Sequence, residues 1–422
     1  MDTIFAQATA PGKAGVSIVR ISGPDAFKGC AALCGTLPQP RLAAVRRIRS
    51  VAGETLDSGL VLTFESGASF TGEDVVELQL HGSVAVVHAV LKELQSFSGF
   101  RPARAGEFTR RALDNQKLDL AQVEGLADLI DAETELQRRQ AQEVLSGVLS
   151  KKIEVWRKLL IEAAALVEAT LDFSDEDIPV DVTPDVLSRV AAVVSDLDQE
   201  LAGYSAAERI RDGFEVAIMG PPNAGKSTLL NAIARRPVAL TSEIAGTTRD
   251  VIEVRIDLQG LPVTLLDTAG LRETADPLEA AGINLARSRA QAADLRIWLD
   301  FGEMAVPDDI DIILRARDDV GASYGVSGKT GRGISALLDR IAVLLSARVP
   351  QNRLLIRARH RTAMEDAGRY LEESRRMLKF GGANEVAADA LRNASASLAE
   401  LVGGIDVDDL LDEIFSRFCI GK

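Results

Sequence analysis

The sequence predicts a multidomain protein with an α+β N-terminal domain, a discontinuous all-α helical domain, and an α/β domain inserted into the helical one. Three observations predict this fold class. Strand and helix patterns are mixed over residues 1–117, helical periodicity governs 118–212 and returns over 347–422, and buried strands alternate with helices over 213–346. We therefore place the domain boundaries at those positions.

The bulk composition fits such a protein. Its 422 residues are enough for roughly three domains, and the 46% of hydrophobic residues is enough for their cores. No apolar run reaches the roughly 18 residues that span a bilayer, and the N-terminus lacks a secretory apolar segment. We expect a soluble cytoplasmic protein without membrane contact.

The three cysteines, Cys30, Cys34 and Cys419, cannot form a disulfide framework. The Cys30-x-x-x-Cys34 spacing could indicate a metal site, but no partner Cys or His lies close in the sequence. We therefore expect Cys30 and Cys34 to be two buried thiols on a helix.

The formal net charge of -14 bears on possible partners. An acidic protein can bind nucleic acid only through a local basic surface. Candidate residues for such a surface follow the inserted domain: Arg353, Arg357, Arg359, His360, Arg361, Arg369, Arg375 and Arg376. An ordinary solvated helix face explains the same residues equally well.

Local patterns place the elements of the first two domains. Val16–Ile21 and Leu60–Phe64 are predicted strands, and Val84–Leu94 is a predicted helix. Long amphipathic helices follow, interrupted by an acidic, proline-bearing break at 172–179, and a further helix is predicted to begin near Thr183-Pro184. A last helical stretch is predicted over Asp409–Phe415.

The inserted domain opens with a phosphate-binding loop. Gly220–Thr228 reads GPPNAGKST, which fits G-x-x-x-x-G-K-[ST] between a predicted strand, Phe214–Met219, and a predicted helix. Glycines in this loop let backbone N–H groups surround phosphate oxygens at a helix N-terminus. Lys226 would reach the terminal phosphates, and the Ser227 hydroxyl would bind magnesium (Mg²⁺).

The motifs that follow define the type of domain. Residues 246–250, GTTRD, precede an alternating strand that ends at Leu258, a Gln259-Gly260 turn, and a second strand that ends in 267–270, DTAG. This order resembles an α/β Ras-like P-loop GTPase domain. The resemblance implies that Thr248 completes the magnesium site, Asp267 holds the metal through water, and Gly270 senses the γ-phosphate.

One position narrows the hydrolytic mechanism. Ras-like enzymes commonly carry a water-orienting Gln after D-x-x-G, but Leu271 stands there and cannot form a hydrogen bond through its side chain. Glu279 is the leading alternative, with Arg272 and Glu273 as rivals, although all three could simply solvate the loop. The Asn223 side-chain oxygen could bind a monovalent cation beside the phosphates.

Further segments outside this domain identify a family. They are Asp2–Thr9, Arg20–Gly23, Phe70–Asp74, Gly106–Thr109, Lys117–Gln122 and the tail Phe418–Lys422. With the GTPase motifs, they make the chain resemble the MnmE (TrmE) family of bacterial tRNA modification GTPases from end to end.

The resemblance implies a set of ligands and site residues. GTP contacts would come from Asn223, Ala224, Gly225, Lys226, Ser227, Thr228, Ser242, Ile244, Thr247, Thr248, Asp267, Thr268, Ala269, Gly270, Asp319, Ser327, Gly328 and Lys329. Potassium (K⁺) would be held by Asn223, Ser242, Ile244 and Thr247, and Mg²⁺ by Ser227 and Thr248. Lys226 and Glu279 would act in hydrolysis.

The N-terminal domain would bind 5-formyl- or methylene-tetrahydrofolate and dimerise. Its folate contacts would be Arg20, Glu77 and Lys117, with the C-terminal Lys422 reaching the same pocket. Arg20 and Glu77 could equally be ordinary ion-pair residues. Cys419 could be a nucleophile or activate the uridine ring, but it could also only pack or shape the turn.

The inserted domain departs from the family pattern in two ways. Guanine selection normally uses N-K-x-D, but here Ala316 and Arg317 replace the Asn and Lys while Asp319 keeps the carboxylate, and Ser327-Gly328-Lys329 replaces S-A-K. We expect weaker guanine affinity that still disfavours adenine. The short connection between Leu299 and Ile312 also suggests a missing helix.

The sequence thus predicts a GTP-hydrolysing enzyme that adds an aminomethyl or carboxymethylaminomethyl group to C5 of the wobble uridine of certain tRNAs. The resemblance implies a homodimer that forms a heterotetramer with an FAD-containing MnmG-type partner. One alternative is a regulatory GTPase in ribosome assembly or stress response, without modification chemistry. Another, suggested by Ala316, is an NTPase with relaxed base preference.

Overall fold

The computed structural model describes residues 2–172, 181–240, 253–267, 288–300, 310–319, 325–349, 357–380 and 383–403, together with 411, 414–416, 418 and 420–421. The chain divides into two compact units, residues 1–127 with 399–422, and residues 128–398. None of the helices within the described ranges is both long enough and apolar enough to cross a membrane.

The first unit is built on a six-stranded sheet. Its strands are β1 (Thr3–Gln7), β2 (Val16–Ser22), β3 (Ala44–Arg49), β4 (Thr55–Phe64), β5 (Val75–His81) and β6 (Phe100–Pro102). The strand order is β3-β4-β5-β2-β1-β6, with β1 and β6 parallel and the other neighbours antiparallel. Its helices are α1 (Ala26–Cys34), α2 (Val84–Gln95), α3 (Glu107–Asp114) and the start of α4 (Leu120–Asp131).

Helices α1 and α2 share a buried apolar cluster with one face of this sheet. The predicted strands in β2 and β4 and the predicted helix α2 are confirmed, although β4 begins five residues earlier, at Thr55. Cys30 and Cys34 lie on α1 as expected, with their sulfur atoms 3.6 Å apart, but Cys34 is only half-buried. Alternation along β2, β4 and β5 leaves the opposite sheet face to polar side chains such as Arg20 and Glu77.

The helical part of the second unit contains long amphipathic helices. They are α5 (Glu135–Leu145), α6 (Val148–Asp172), α7 (Thr183–Asp212) and two later helices, Ala358–Lys379 and Asn384–Glu400. Helix α7 begins at Thr183 as predicted, and Pro184 occupies its first turn, where proline leaves no unsatisfied donor. The predicted acidic break falls largely outside the described residues, as does most of the predicted helix near residue 411.

The α/β part of the second unit is a second six-stranded sheet. Its strands are β7 (Phe214–Met219), β8 (Glu253–Leu258), β9 (Leu261–Asp267), β10 (Leu295–Asp300), β11 (Ile312–Ala316) and β12 (Gly325–Val326). The order is β12-β11-β10-β7-β9-β8, and only β8 runs antiparallel to its neighbour. Two of its helices are α8 (Lys226–Ala234) and α9 (Ile334–Ser346).

Local sequence explains the edge of this sheet. Gln259 (φ 56°) and Gly260 (φ 90°) form the two-residue turn that joins β8 to β9, and positive φ at both positions suits the twist of a hairpin. Strands β10 and β11 are parallel neighbours, so residues 301–311 make the crossover between them. Residues 301–309 lie outside the described part, and the missing helix therefore stays a prediction.

Candidate functional site

The phosphate-binding loop joins the end of β7 to the start of α8. Gly220 has φ 144°, and a Cβ there would lie 2.7 Å from the Leu299 carbonyl oxygen, so only glycine fits against β10. Gly225 has φ 96° at the start of α8. The sequence pattern thus folds into the strand, loop and helix geometry that exposes backbone N–H groups to an anion.

Lys226 is the cation at the centre of this loop. Its side chain is buried, and its Nζ donates hydrogen bonds to the carbonyl oxygens of Gly220 (2.8 Å) and Pro221 (3.0 Å). Burial lowers the pKa of Lys226, and the nearby Asp267 carboxylate partly opposes that shift. Both of these hydrogen bonds are accepted by neutral carbonyl groups, which leave the positive charge of the ammonium group in place. Lys226 is therefore suited to bind an anion.

Ser227 and Asp267 bring oxygen ligands together beside the loop. Ser227 Oγ donates a 2.6 Å hydrogen bond to Asp267 Oδ2, and Asp267 is buried. Hydroxyl and carboxylate oxygens are the donors that Mg²⁺ prefers. These residues therefore fit the metal that the sequence motifs imply, because each is placed to contact it directly or through water.

A cavity of about 250 Å³ lies next to the loop. It is lined by Ala224, Gly225, Thr228, Leu229, Leu299, Ala316, Arg317, Asp319, Val326, Ser327, Gly328 and Lys329. Asp319 Oδ1 accepts a 2.5 Å hydrogen bond from Ser327 Oγ. The structure thus brings the predicted base-binding residues Asp319, Ser327, Gly328 and Lys329 to one cavity, whose lining includes one carboxylate.

A second group of predicted residues meets on the polar face of the first unit. Arg20 and Glu77 are cross-strand neighbours on β2 and β5, and two guanidinium nitrogens of Arg20 donate to Glu77 Oε1 at 2.9 and 3.0 Å. The Arg20 guanidinium lies 5.8 Å from the Phe70 ring centre and 5.7 Å from that of Phe108. The ion pair that the sequence left as an alternative is therefore present.

Lys117 has a different local contact. Its Nζ donates a 2.6 Å hydrogen bond to the carbonyl oxygen of Gly67, and Asn115 Nδ2 donates one of 2.7 Å to that of Thr71. These bonds tie the end of α3 to the loop that carries Phe70. Lys117 thus holds in place the loop whose Phe70 ring lies beside Arg20.

The C-terminal tail reaches the same surface. Ile420 forms an antiparallel bridge with Ala105, and Arg20 Nη1 donates a 3.3 Å hydrogen bond to the Gly421 carbonyl oxygen. Gly421 has φ 106°, and a Cβ there would overlap the Gln7 carbonyl oxygen. The tail therefore passes over β1 at a position where a side chain would not fit.

Comparison with known proteins agrees with these features. Residues 3–117 match the family model described as GTP-binding protein TrmE N-terminus, and residues 120–419 match that of the MnmE helical domain. The tRNA modification GTPase MnmE of Roseobacter denitrificans is 56% identical over 428 residues, and that of Cereibacter sphaeroides is 57% identical over 429 residues. Each match covers 100% of both chains. The chain belongs to the MnmE family.

One solved structure is a more distant match to this chain. A GTP-binding protein from the archaeon Sulfolobus solfataricus in complex with GDP is 15% identical, with a TM-score of 0.24. The match covers 62% of this chain and 85% of that one.

Several residues that the MnmE resemblance assigned to the sites lie outside the described part of the chain. They are Ser242, Ile244, Thr247, Thr248, Thr268, Ala269, Gly270, Glu279, Cys419 and Lys422. The rivals of Glu279, Arg272 and Glu273, lie there too, and so does Arg353. Their roles stay predictions.

Four arginines of the basic segment considered for RNA binding are paired with carboxylates. Arg357 pairs with Asp128 at 2.6 Å, and Arg361 pairs with Glu365 at 2.7 Å. Arg369 pairs with Asp366, and Arg375 pairs with Glu372. Such pairs are typical of a solvated helix face, and a basic surface for RNA stays a prediction.

Sequence reasoning missed two features of this structure. One is the pair of rings, Phe70 and Phe108, beside Arg20; both stand in segments that carry the family resemblance, which was the available signal. The other is Arg317, whose guanidinium donates to the carbonyl oxygen of Asn223 in the phosphate-binding loop. No local pattern indicates that contact, because 94 residues separate its partners.

Proposed function

We propose that this chain hydrolyses GTP and that the hydrolysis serves tRNA modification. Its full-length relatives carry the name tRNA modification GTPase, which supports both parts. The observation that carries the proposal is the convergence of Lys226, Ser227 and Asp267 beside a cavity with one carboxylate. A triphosphate on the loop and a base in the cavity would fit this arrangement.

Each group would have a distinct task. Lys226 would bind the terminal phosphates, and the Asp319 carboxylate would accept hydrogen bonds from guanine N1 and N2. Ser227 and Thr248 would hold Mg²⁺, with Asp267 binding through water; the metal neutralises phosphate charge when bound. Glu279 would orient the attacking water.

A monovalent cation would supply further positive charge near the phosphates. Asn223 stands in the loop with φ 64°, a conformation that asparagine tolerates better than most residues. Its side-chain oxygen would bind K⁺ together with Ser242, Ile244 and Thr247. K⁺ would thereby stimulate hydrolysis.

The first unit would bind 5-formyl- or methylene-tetrahydrofolate as a one-carbon donor. Glu77 would accept from the donor edge of the pterin, and Arg20 would hold Glu77 in place. Lys117 would fix the adjacent loop, and Lys422 would contact the anionic folate tail. The ring of Phe70, which is 36% exposed, offers a surface for stacking.

The product would be an aminomethyl or carboxymethylaminomethyl group on C5 of the wobble uridine, with Cys419 as a further candidate catalytic group. The flavin chemistry would come from an FAD-containing partner of the MnmG type in a heterotetramer with a homodimer of this chain. We expect the reaction in the cytoplasm.

The test uses a deletion strain carrying the wild-type gene, a Lys226→Ala variant or a Glu77→Gln variant. Nucleosides from its tRNA are analysed by mass spectrometry, and GTP turnover is measured on the purified proteins. Lys226→Ala should lower turnover by roughly 100-fold or more and abolish the uridine modification. Glu77→Gln should abolish modification but keep GTP turnover, because it changes only the folate site.

Two results would contradict the proposal. If tRNA from the deletion strain kept its C5 group, the chain would instead be a regulatory GTPase. If Lys226→Ala left nucleotide turnover intact, the phosphate-binding loop would not be the active site.

A further inference from the structure

The loop between β4 and β5, residues 65–74, brings Phe70 to the side of Arg20. The Phe70 ring centre lies 5.8 Å from the Arg20 guanidinium, and Phe70 is 36% exposed. Phe108 of α3, whose ring centre lies 5.7 Å from the same guanidinium, is fully buried. Core packing therefore fixes Phe108, whereas the position of Phe70 depends on the contacts that hold the loop.

Arg111 of α3 holds this loop through Glu73. Arg111 Nη1 donates hydrogen bonds to Glu73 Oε1 and Oε2 at 3.1 and 2.9 Å, and both side chains are only 12% exposed. Glu73 Oε2 also accepts a 2.7 Å hydrogen bond from Ser22 Oγ of β2, two residues after Arg20. The carboxylate of Glu73 thus joins the loop to α3 and to the strand that carries Arg20.

The guanidinium of Arg111 is itself fixed to the residue that precedes β1. Its Nη1 donates to the Asp2 carbonyl oxygen at 2.9 Å, and its Nη2 donates to Asp2 Oδ1 at 2.8 Å. Asp2 in turn pairs with Arg101, which also pairs with Glu107 in the first turn of α3. Because these contacts place Arg111 independently of the loop, the loop takes its position from Arg111.

The other contacts of the loop join neutral groups or are exposed to solvent. Ser22 Oγ and Thr71 Oγ1 share a 2.7 Å hydrogen bond, and Asn115 donates to the Thr71 carbonyl oxygen. The bond from Lys117 to the Gly67 carbonyl oxygen is exposed. Hydrogen bonds between charged groups are roughly twice as strong as those between neutral groups. The mostly buried ion pair therefore contributes most to the placement of the loop.

We propose that Glu73 and Arg111 are positioning residues of the folate site, whose ion pair holds the Phe70 ring beside Arg20 and thereby sets the affinity for reduced folates. The inference rests on the proposed folate binding by the first unit. Loss of the Arg111 guanidinium would leave the Glu73 carboxylate mostly buried without its cationic partner, which is strongly unfavourable. Water can hydrate that carboxylate only if the loop moves outward, and Phe70 then moves with it.

The first experiment measures the Kd of the full-length protein for 5-formyltetrahydrofolate by isothermal titration calorimetry. Arg111→Met keeps most of the side-chain length but removes the guanidinium, and it should bind the folate roughly tenfold more weakly than wild type. Glu73→Gln has the same shape as the native residue and is the milder variant; it should also weaken binding. The double variant should bind no more weakly than Arg111→Met, because both changes remove the same ion pair.

Arg104→Met is the matched control. Arg104 is exposed, and it lies just before α3, so this change removes one positive charge from the same segment without touching the ion pair. Its Kd for 5-formyltetrahydrofolate should stay within about twofold of the wild-type value.

The second experiment follows the loop itself by limited digestion with chymotrypsin, with the cleavage sites mapped by mass spectrometry. Cleavage after Phe70 should be roughly tenfold faster in Arg111→Met than in wild type, because local opening of the loop becomes easier. Phe380 in the second unit is 83% exposed and is the internal reference, with the same cleavage rate in both proteins. A merely structural role of Arg111 in overall stability would not single out the bond after Phe70.

The outcomes separate the two proposals. Wild-type protein that does not bind 5-formyltetrahydrofolate would contradict the proposed folate binding. Wild-type protein that binds it while Arg111→Met and Glu73→Gln both bind equally well would overturn the positioning role. So would an Arg104→Met variant as impaired as Arg111→Met, or equal acceleration of cleavage after Phe70 and Phe380.

Discussion

Ser227 Oγ lies 2.6 Å from Asp267 Oδ2, although 40 residues separate them in the chain. Ser227 stands in the first turn of α8, and Asp267 ends β9, the parallel neighbour of the strand that leads into the loop. The carboxyl ends of neighbouring parallel strands meet at one edge of a sheet, so the fold brings these two oxygens together.

Replacing Ser227 by Ala should weaken magnesium-dependent nucleotide binding. Loss of a residue that only contacts a metal ligand lowers the metal affinity of a site by roughly 10- to 100-fold. Loss of Ser227, a proposed direct ligand, should lower the affinity for magnesium at least as much. Titration of GDP at several magnesium concentrations measures this. Ser227→Thr is the control, because it keeps the hydroxyl and should retain affinity; equal affinities for all three proteins would argue against magnesium at this position.

Replacing Asn223 by Gly should remove potassium stimulation. Glycine accepts the φ of 64° without strain, so the change deletes the side-chain oxygen and leaves the loop intact. GTP turnover is compared in potassium and sodium chloride at equal ionic strength. The wild-type rate should be higher in potassium, whereas the ratio for Asn223→Gly should fall to about one. A wild-type protein with the same rate in both salts would remove the proposed role of Asn223.

Replacing Gly421 by Ala should release the C-terminal tail. The new Cβ would overlap the Gln7 carbonyl oxygen, and the positive φ adds strain. The bond from Arg20 to Gly421 should then be lost. Carboxypeptidase should remove the terminal residues faster from this variant than from wild type. Gly15→Ala is the control, because a Cβ there meets nothing within 4 Å; identical digestion of all three proteins would contradict the docked tail.

Arg101 should make the first unit sensitive to acid. It pairs with Asp2 and Glu107, each at 2.5 Å. The hydrogen bond from Arg101 lowers the pKa of Asp2 below 3.8. Burial raises the pKa of Glu107, but hydrogen bonds from Arg101 and the Arg104 N–H outweigh it and hold that pKa below 4.5. The ionised carboxylates thus stabilise the fold at pH values above the ordinary pKa values of Asp and Glu. This stabilisation is lost as the pH falls through the lowered pKa values of Asp2 and Glu107.

Thermal unfolding of wild type and Arg101→Met from pH 7 to pH 3 measures this contribution. The wild-type Tm should exceed that of the variant near neutral pH, and the difference should shrink as the pH falls below about 4. A difference that stays constant over the whole range would show that Arg101 acts through packing alone.

The sequence alone was sufficient to predict those elements whose conformation depends on residues close together in the chain. The phosphate-binding loop, strand β7, helix α2 and the start of α7 at Thr183 follow from spacing, glycine and proline positions, and periodicity within a few residues. The identity of Arg20, Glu77 and Lys117 as site candidates also came from sequence segments. None of these predictions required knowledge of which strands are neighbours.

The tertiary structure decided which of those residues meet. Arg20 contacts Glu77 because β2 pairs with β5 in a register that places the two residues side by side. Lys117 donates its hydrogen bond to the carbonyl oxygen of Gly67. Arg317 reaches Asn223, and Gly328 reaches α8, because strand order brings distant turns to one edge of the sheet. Spacing along the chain determines local conformation, but contacts between remote residues depend on sheet order and register, and these are set by the packing of the whole unit.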